Sequence, residues 1–336
     1  MTGFMARALQ SLRLLTGLMA LALVPALTGC AVGPSGRPPL RLAITDWPGY
    51  EYFYLAQEWD LASPQGINLQ VYQYSSLQDQ RFSYQQGEVD AIATTVAEAL
   101  AICQEMPPRC PQLVLVLDES MGGDQLIAHR RVASLAALRG QSVGLERGVL
   151  GDYVLLRALD TVGLGLDDVQ LVYAGPRALV DRLLQNDLAA VVTYPPYSAD
   201  LMGDGSHHTL FSSRQLPRDV VDVLAVSPDL ARRHPQQVGA LVATWWAARE
   251  QASRQPAAAL ALMARREGIS EEAFRRSESL LRYVEAEQQR DWLRSGGWLE
   301  ATVTRIAQSL QASGHLDRTM PLPQVNPRWV NAARRP

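Results

Sequence analysis

The stretch Ile44 to Leu61, ITDWPGYEYFYLAQEWDL, ends a short apolar run at Asp46 and enters a helix through Trp47, Pro48, Gly49 and Tyr50. Turns favour small polar residues, so an acid and two large rings in one turn need something to hold them. Two uses are open for Trp47 and Tyr50: flat faces that stack on a guest and exclude water, or packing beneath the helix that follows. In open α/β sheets, guests bind beyond the carboxyl ends of the strands, where helix N-termini converge. Applied along the chain, that rule selects four further stretches: Thr94-Thr95, Asp118-Glu119-Ser120, Glu146 to Asp152, and Tyr194-Pro195-Pro196-Tyr197. Asp124 lies beside the second of these. One of Thr94 and Thr95 caps the helix starting near Ala97 and the other faces the cleft, in an order the sequence leaves open. Gly148 and Gly151 permit close approach of the backbone to a ligand, and the helix beginning near Asp152 points free N–H groups at the same place.

These residue types do non-covalent work: rings, hydroxyls, carboxylates and backbone donors around a small solute. The 31 basic residues are all Arg, so a Lys-based active site or Schiff base is excluded. The five His are scattered, and His207-His208 sits in the loop-like GDGSHHTL without a carboxylate or Cys at ligand spacing. No Gly-x-Ser-x-Gly elbow or Walker-type loop occurs. The expectation is therefore no catalytic residue, no metal site and no cofactor. A net charge of −3 gives no basic footprint for nucleic acid.

The elements that must position these residues alternate. LRLAIT, INLQVYQY, DAIATT and QLVLVL are strand candidates, separated by helix-like YEYFYLAQEWDL, SLQDQRFSYQQG and VAEALAICQ. A second series follows with QSVGLE, VQLVYA and AAVVTY around GDYVLLRALDTVGL and RALVDRLLQN, and VVDVLAVS reads as one more strand. Alternation of this kind predicts parallel sheets with helices on both faces, here as two doubly wound α/β lobes. After Pro235 long amphipathic helices take over, with Val238, Leu241, Val242 and Trp245, and later Phe274, Leu280, Leu281 and Val284, at helical spacing. The expected organisation is a first lobe of residues 40–126 plus 221–330, including these C-terminal helices, and a second lobe of residues 127–220.

The first thirty residues read as an export signal. Arg7 and Arg13 precede an apolar run, Leu14 to Leu27, that is too short to span a membrane. Its end, Leu27-Thr28-Gly29-Cys30, resembles a bacterial lipobox, which implies a lipid on Cys30 and a membrane anchor; an ordinary secretory signal is the alternative. Ala31 leaves an outer-membrane address open. Residues 31–39, AVGPSGRPP, read as a flexible tether reaching at most ~30 Å. Cys103 and Cys110 remain. Outside the cytoplasm they have a reason to form a disulfide; a metal site is the alternative, with no His or further Cys nearby.

The wording and order of several segments resemble the solute-binding proteins of ABC importers in the nitrate, sulfonate and taurine group. WPGYEYFYLA is similar to that group's opening turn and helix, and GEVDAIATT to the end of its second βα unit. SLAALRGQSVGLERGVLGDYVLLRALDTVGL is similar to the entry of its second lobe, and NDLAAVVTYPPY to a later strand and ligand loop. The resemblance covers most of the mature chain. It implies two hinged lobes of the type II periplasmic-binding-protein kind, capture without chemistry, and delivery to separate permease and ATPase subunits. A lipoprotein that reports solute to a membrane sensor kinase or cyclase is the alternative use of the same binding. Tyr194 falls where the group has a cleft-facing residue before Pro. A thiamine-pyrimidine-making branch of the wider superfamily carries a Cys-rich motif that is absent here. The second-lobe helix start departs from the group: ERGVLGDY sets an acid on either side of the glycines where relatives look rich in Ser, Thr or His. Asp46, Asp118, Glu119, Asp124, Glu146 and Asp152 crowd the expected cleft, with Arg147 and Arg177 as the local balance. Even at an effective dielectric near 20, two unit charges at 4 Å interact by about 4 kcal/mol. An amine-bearing or heteroaromatic solute is thus expected in place of a simple anion, unless these acids cap helices and face solvent.

Overall fold

The computed structural model describes residues 38–202 and 205–330. The signal segment, most of the tether and Cys30 lie outside the described residues. The chain runs β1 (Leu40–Ile44), α1 (Glu51–Glu58), β2 (Leu69–Gln73), α2 (Leu77–Gln86), β3 (Ala91–Thr95), α3 (Val96–Glu105) and β4 (Gln112–Ser120). It continues through β5 (Gln125–His129), β6 (Ser142–Leu145), α4 (Leu150–Asp160), β7 (Gln170–Tyr173), α5 (Pro176–Leu184), β8 (Ala190–Thr193) and β9 (His207–Ser212). Then come β10 (Val221–Val226), α6 (Pro228–Arg233), α7 (Pro235–Arg254), α8 (Pro256–Glu267), α9 (Glu271–Glu278), β11 (Leu281–Tyr283), α10 (Gln289–Leu293), α11 (Trp298–Ala312) and β12 (Gln324–Val325).

The strands form two sheets. The first has the order β11-β4-β10-β3-β1-β2, with β12 added beside β4; the second has the order β7-β6-β8-β5-β9. We call each sheet with its flanking helices a lobe. β3 and β10 are buried at every position, as expected of strands covered by helices on both faces. Helix starts follow local chemistry: Ser76 caps α2, Thr95 caps α3 and Ser227 caps α6, each through its side-chain oxygen. Gly87, with φ of 77°, ends α2 in the left-handed conformation that glycine adopts without strain.

The sheets are mixed, which corrects the expectation of purely parallel strands. The chain crosses between the lobes at residues 121–124 and again at 213–220. Each crossing delivers a strand running against its neighbours: β5 is antiparallel to β8 and β9, and β10 is antiparallel to β3 and β4. Three local expectations also change. β4 is nine residues long and runs straight through Asp118-Glu119-Ser120, which read as a loop. His207-His208 begins β9, where a loop was expected. Leu281 lies on β11, whose three residues pair antiparallel with the end of β4, so its helical spacing was coincidental.

The C-terminal helices cover the first lobe, and one of them reaches further. Trp245 of α7 is fully buried against Phe53 of α1, ring centres 4.8 Å apart, while Trp246 is half-buried. α11 packs on α3 and also touches α4 of the second lobe. Cys103, near the end of α3, is disulfide-bonded to Cys110.

Candidate functional site

Trp47 and Tyr194 come from opposite lobes and meet edge to face, their ring centres 6.3 Å apart. Together with Tyr50, Thr95, Asp124 and Asp222 they line an interlobe pocket with a free volume of about 10 Å³, its lining completed by Thr45, Leu77 and Leu150. Its free interior is barely wide enough for a water molecule, so the lobes are shut on their own side chains. Among the described residues, no basic one contributes to the lining.

The rings are held by backbone closeness and by acids behind them. The indole Nε1–H of Trp47 donates to Asp118 Oδ1 at 3.2 Å. A Cβ on Gly123 would stand 2.6 Å from the Trp47 ring, and one on Gly49 would stand 2.0 Å from Asp118 Oδ2. Only glycine at these two positions leaves the ring and the carboxylate where they are. The Tyr50 hydroxyl donates to Asp222 Oδ1 in a short contact. Asp118 and Asp222 are register partners on β4 and β10, and Thr95 of β3 flanks Asp222 on its other side.

Three buried acids thus share one wall, and none of them forms an ion pair with an Arg among the described residues. Burial first, with the neighbouring Asp124 charge adding to it, pushes Asp118 up to about 7. Burial pushes Asp124 up to about 6. Asp222 is raised well above its ordinary value, by burial and then by the Asp118 charge. Neither Asp118 Oδ2 nor Asp222 Oδ2 receives a donor from any other group among the described residues. Facing one another in register, the two carboxyls are placed to share a proton, the usual resolution when like charges are buried together.

A second set of acids ties the lobes. Glu98, on the first turn of α3, accepts the N–H groups of Val149 and Leu150 at 2.8 and 3.0 Å, at the start of α4 in the other lobe. Its second oxygen pairs with buried Arg81, which Glu105 also holds. Glu146 of the second lobe accepts the Gln78 N–H at 3.2 Å, at the start of α2, and the Tyr194 hydroxyl at 2.9 Å. Burial, then the Glu98 charge, pushes Glu146 up to about 7. Tyr197 crosses the same gap, donating to Asp46 Oδ2 at 2.8 Å.

Of the residues selected from sequence, Trp47, Tyr50, Thr95, Asp124 and Tyr194 converge on the cavity. The others stand elsewhere. Thr95 proves to be the capping threonine while also lining the cavity, whereas Thr94 is fully buried, its hydroxyl without a hydrogen-bond partner among the described residues. Asp118 stands behind Trp47, inside β4 and not in a cleft loop. Ser120 is also inside β4; its hydroxyl bonds Ser213 at 2.8 Å and the Asp124 N–H at 3.1 Å, which fastens the two crossings to each other. Asp46 sits at the rim, bonded to Gln73 and Tyr197. Gly148 does allow a close approach, but Glu98 makes it: a Cβ there would lie 2.4 Å from Glu98 Oε1. Two of the N–H groups expected to be free at the start of α4, those of Val149 and Leu150, are taken by the same carboxylate.

Asp222 and Glu98 were not selected. A lone acid within the apolar run VVDVLAVS was the available signal for Asp222, since an unpaired acid rarely belongs inside a covered strand. Glu98 was masked by Thr-x-x-Glu, Thr95 to Glu98, which reads as an ordinary capping box.

This architecture, two mixed α/β lobes joined by two crossings with a cleft between them, is the type II periplasmic-binding-protein fold. Residues 33–266 match the NMT1-like family, and the chain belongs to it. The alkanesulfonate-binding protein SsuA from Xanthomonas axonopodis pv. citri, solved bound to MOPS, superposes with a TM-score of 0.72 at 16% identity, over 86% of this chain and 98% of that one. The zinc-bound ligand-binding component of an ABC-type import system from Staphylococcus aureus gives 0.71 at 14% identity, over 89% and 100%. The desulfurization enzyme DSZB gives 0.61 at 21% identity, over 88% and 99%. In sequence, a provisionally named binding protein of Brucella abortus (strain 2308) is 33% identical over 90 residues, 26% of this chain. The match spans 28% of that relative's length.

Proposed function

We propose that this protein is an extracytoplasmic solute-binding protein, tethered through lipid on Cys30, that captures a small organic cation or amine-bearing heteroaromatic and delivers it to an ABC importer. The observation that carries this reading is the cavity wall: Trp47, Tyr50 and Tyr194 stand around Asp124 and Asp222 with no basic residue in the lining. An ammonium or protonated ring nitrogen supplies what that wall lacks. It would satisfy the open oxygen of Asp222, displace the shared proton and rest against the faces of the rings. Because the rings belong to different lobes, such a solute touches both only when they are together, so binding favours the closed form. The neighbours named for solute binding and ABC import support the class of function; the choice of cation rests on this chain's own residues. Capture without turnover fits the cysteines too, since Cys103 and Cys110, those among the described residues, are bonded to each other.

Native mass spectrometry of the protein purified from its own cell envelope identifies the guest, and a thermal-shift panel tests its class. Amines and cationic heterocycles are expected to raise the melting temperature. If taurine, nitrate or alkanesulfonates raise it and the cations do nothing, the reading is wrong.

A further inference from the structure

The structure assigns Glu98 the part of an internal anion: it fills the start of α4 from the opposite lobe and thereby sets the cleft against anionic solutes. This extends the reading above, in which the solute is not an anion. α4 has no side-chain cap of its own; Val149 stands at its cap position and has no group to offer. The exposed N–H groups of a helix start are an anion site by construction. Here a carboxylate already sits on two of them, 1% exposed, accepting from both Val149 and Leu150 through one oxygen.

The supporting pair belongs entirely to the first lobe. Arg81, 4% exposed, holds the second oxygen of Glu98 and is itself steadied by Glu105. Parting the lobes leaves Arg81–Glu98 intact and strips only the two N–H contacts. Gly148 leaves the gap through which Glu98 reaches α4, and no larger residue fits there without displacing it. Glu146 mirrors the arrangement on the start of α2. Leu77 and Leu150, the first residues of these two helices, line the aromatic pocket, so the filled anion site adjoins it. An anionic guest would meet the carboxylates of Glu98 and Glu146 where the N–H groups of Val149, Leu150 and Gln78 would otherwise be open. Without Glu98, the same place would hold two backbone donors backed by a buried guanidinium, the recognition set for a small carboxylate or oxoanion.

The test is chemical rescue in the full-length protein. Glu98→Ala is expected to melt lower than wild type and to regain a large part of the loss in acetate or formate at constant ionic strength, with chloride as control. Its affinity for acetate should exceed that of wild type by about tenfold or more, the worth of one charge-assisted hydrogen bond. Anion-dependent stabilisation of the wild type to the same degree would overturn the assignment, and so would an E98A protein indifferent to anions. Should E98A fail to fold, Glu98→Gln keeps the shape and removes the charge. The amides of Val149 and Leu150 should then exchange hydrogen faster than in wild type by about tenfold; unchanged protection overturns the assignment. Wild-type titration with organic cations is a separate arm. No cation binding with intact E98A rescue discards the solute class and leaves Glu98 in its role, and the reverse pattern does the opposite.

Discussion

Two sets of buried carboxylates surround one cleft, and they differ in what meets their oxygens. Glu98 and Glu146 are surrounded by donors: helix N–H groups from the facing lobe, a guanidinium, a tyrosine hydroxyl. Asp118 and Asp222 are equally buried, yet each keeps an oxygen that, among the described residues, no donor outside the pair reaches. Burial is thus no guide to purpose here. A carboxylate whose lone pairs are filled by its own chain is a strut, because moving it would strand buried donors. One left open beside a cavity is a cost to the empty protein that a cationic guest removes. Thr95 caps the helix that carries Glu98 and is the register partner of Asp222 on β10, so the same short region of the first lobe carries both kinds.

The largest expected effect comes from making the open set neutral. Asp222→Asn keeps the shape of the wall and the Tyr50 contact while removing the charge. Isothermal titration should show organic-cation affinity falling by roughly 10- to 150-fold, the range of about 1.5–3 kcal/mol for a hydrogen bond to a charged group. The same variant should melt higher than wild type near pH 8 without solute, because a buried repulsion has gone. Undiminished affinity would show that the open oxygen is not the recognition group and would erase the contrast between the two sets.

How much of this contrast is visible in the sequence depends on where each residue sits relative to a strand end. Trp47, Tyr50 and Tyr194 were legible because each occupies a turn after a short apolar run, where rings need an explanation. Thr95 was legible as half of a pair. Asp222 was not, since the rule that points to strand ends overlooks a residue delivered inside β10, a strand that returns antiparallel after the second crossing. The crossings themselves carry no local signal: β5, QLIAH, and β9, HHTLFS, take their place from pairing with strands far away in sequence. Glu98 met a different obstacle. Its local pattern has an ordinary meaning, and only the arrival of α4 from the other lobe gives its carboxylate different partners. The acidity of the cleft was readable, but its division into filled and open carboxylates depends on tertiary approach at Gly49 and Gly148.

A smaller and reversible effect should follow from pH. Asp118 is raised to about 7, Asp124 to about 6 and Glu146 to about 7, against unfolded values near 3.9 for Asp and 4.3 for Glu. Raised carboxyls bind protons more tightly in the folded state. Their contribution to stability is therefore complete below about pH 4 and lost as pH rises through about 6 to 7. The solute-free melting temperature, followed across pH 5.5 to 8, should carry this downward component. Cation binding should run the other way, tightening over about the same interval and releasing protons measurable as a buffer-dependent heat. Affinity that stays level through this interval would mean the acids do not gain charge when the guest enters.

The smallest effect on binding tests whether the strut set depends on the far end of its helix. α3, capped by Thr95, carries Glu98 on its first turn and Cys103 near its end, about 7.5 Å beyond Glu98 at 1.5 Å per residue. The Cys103–Cys110 disulfide closes an eight-residue loop there, and on the chain-entropy estimate it stabilises the fold by about 2.5 kcal/mol. Replacing both cysteines with serine should lower stability by about that amount in denaturant titration. Solute affinity should stay within about twofold, because Glu98 is fixed from outside the disulfide loop, by Arg81 on α2 and by the α4 amides. A larger loss of affinity would mean that the position of α3 is set from its disulfide end, and that the strut at its start is held less by the facing lobe than its hydrogen bonds imply.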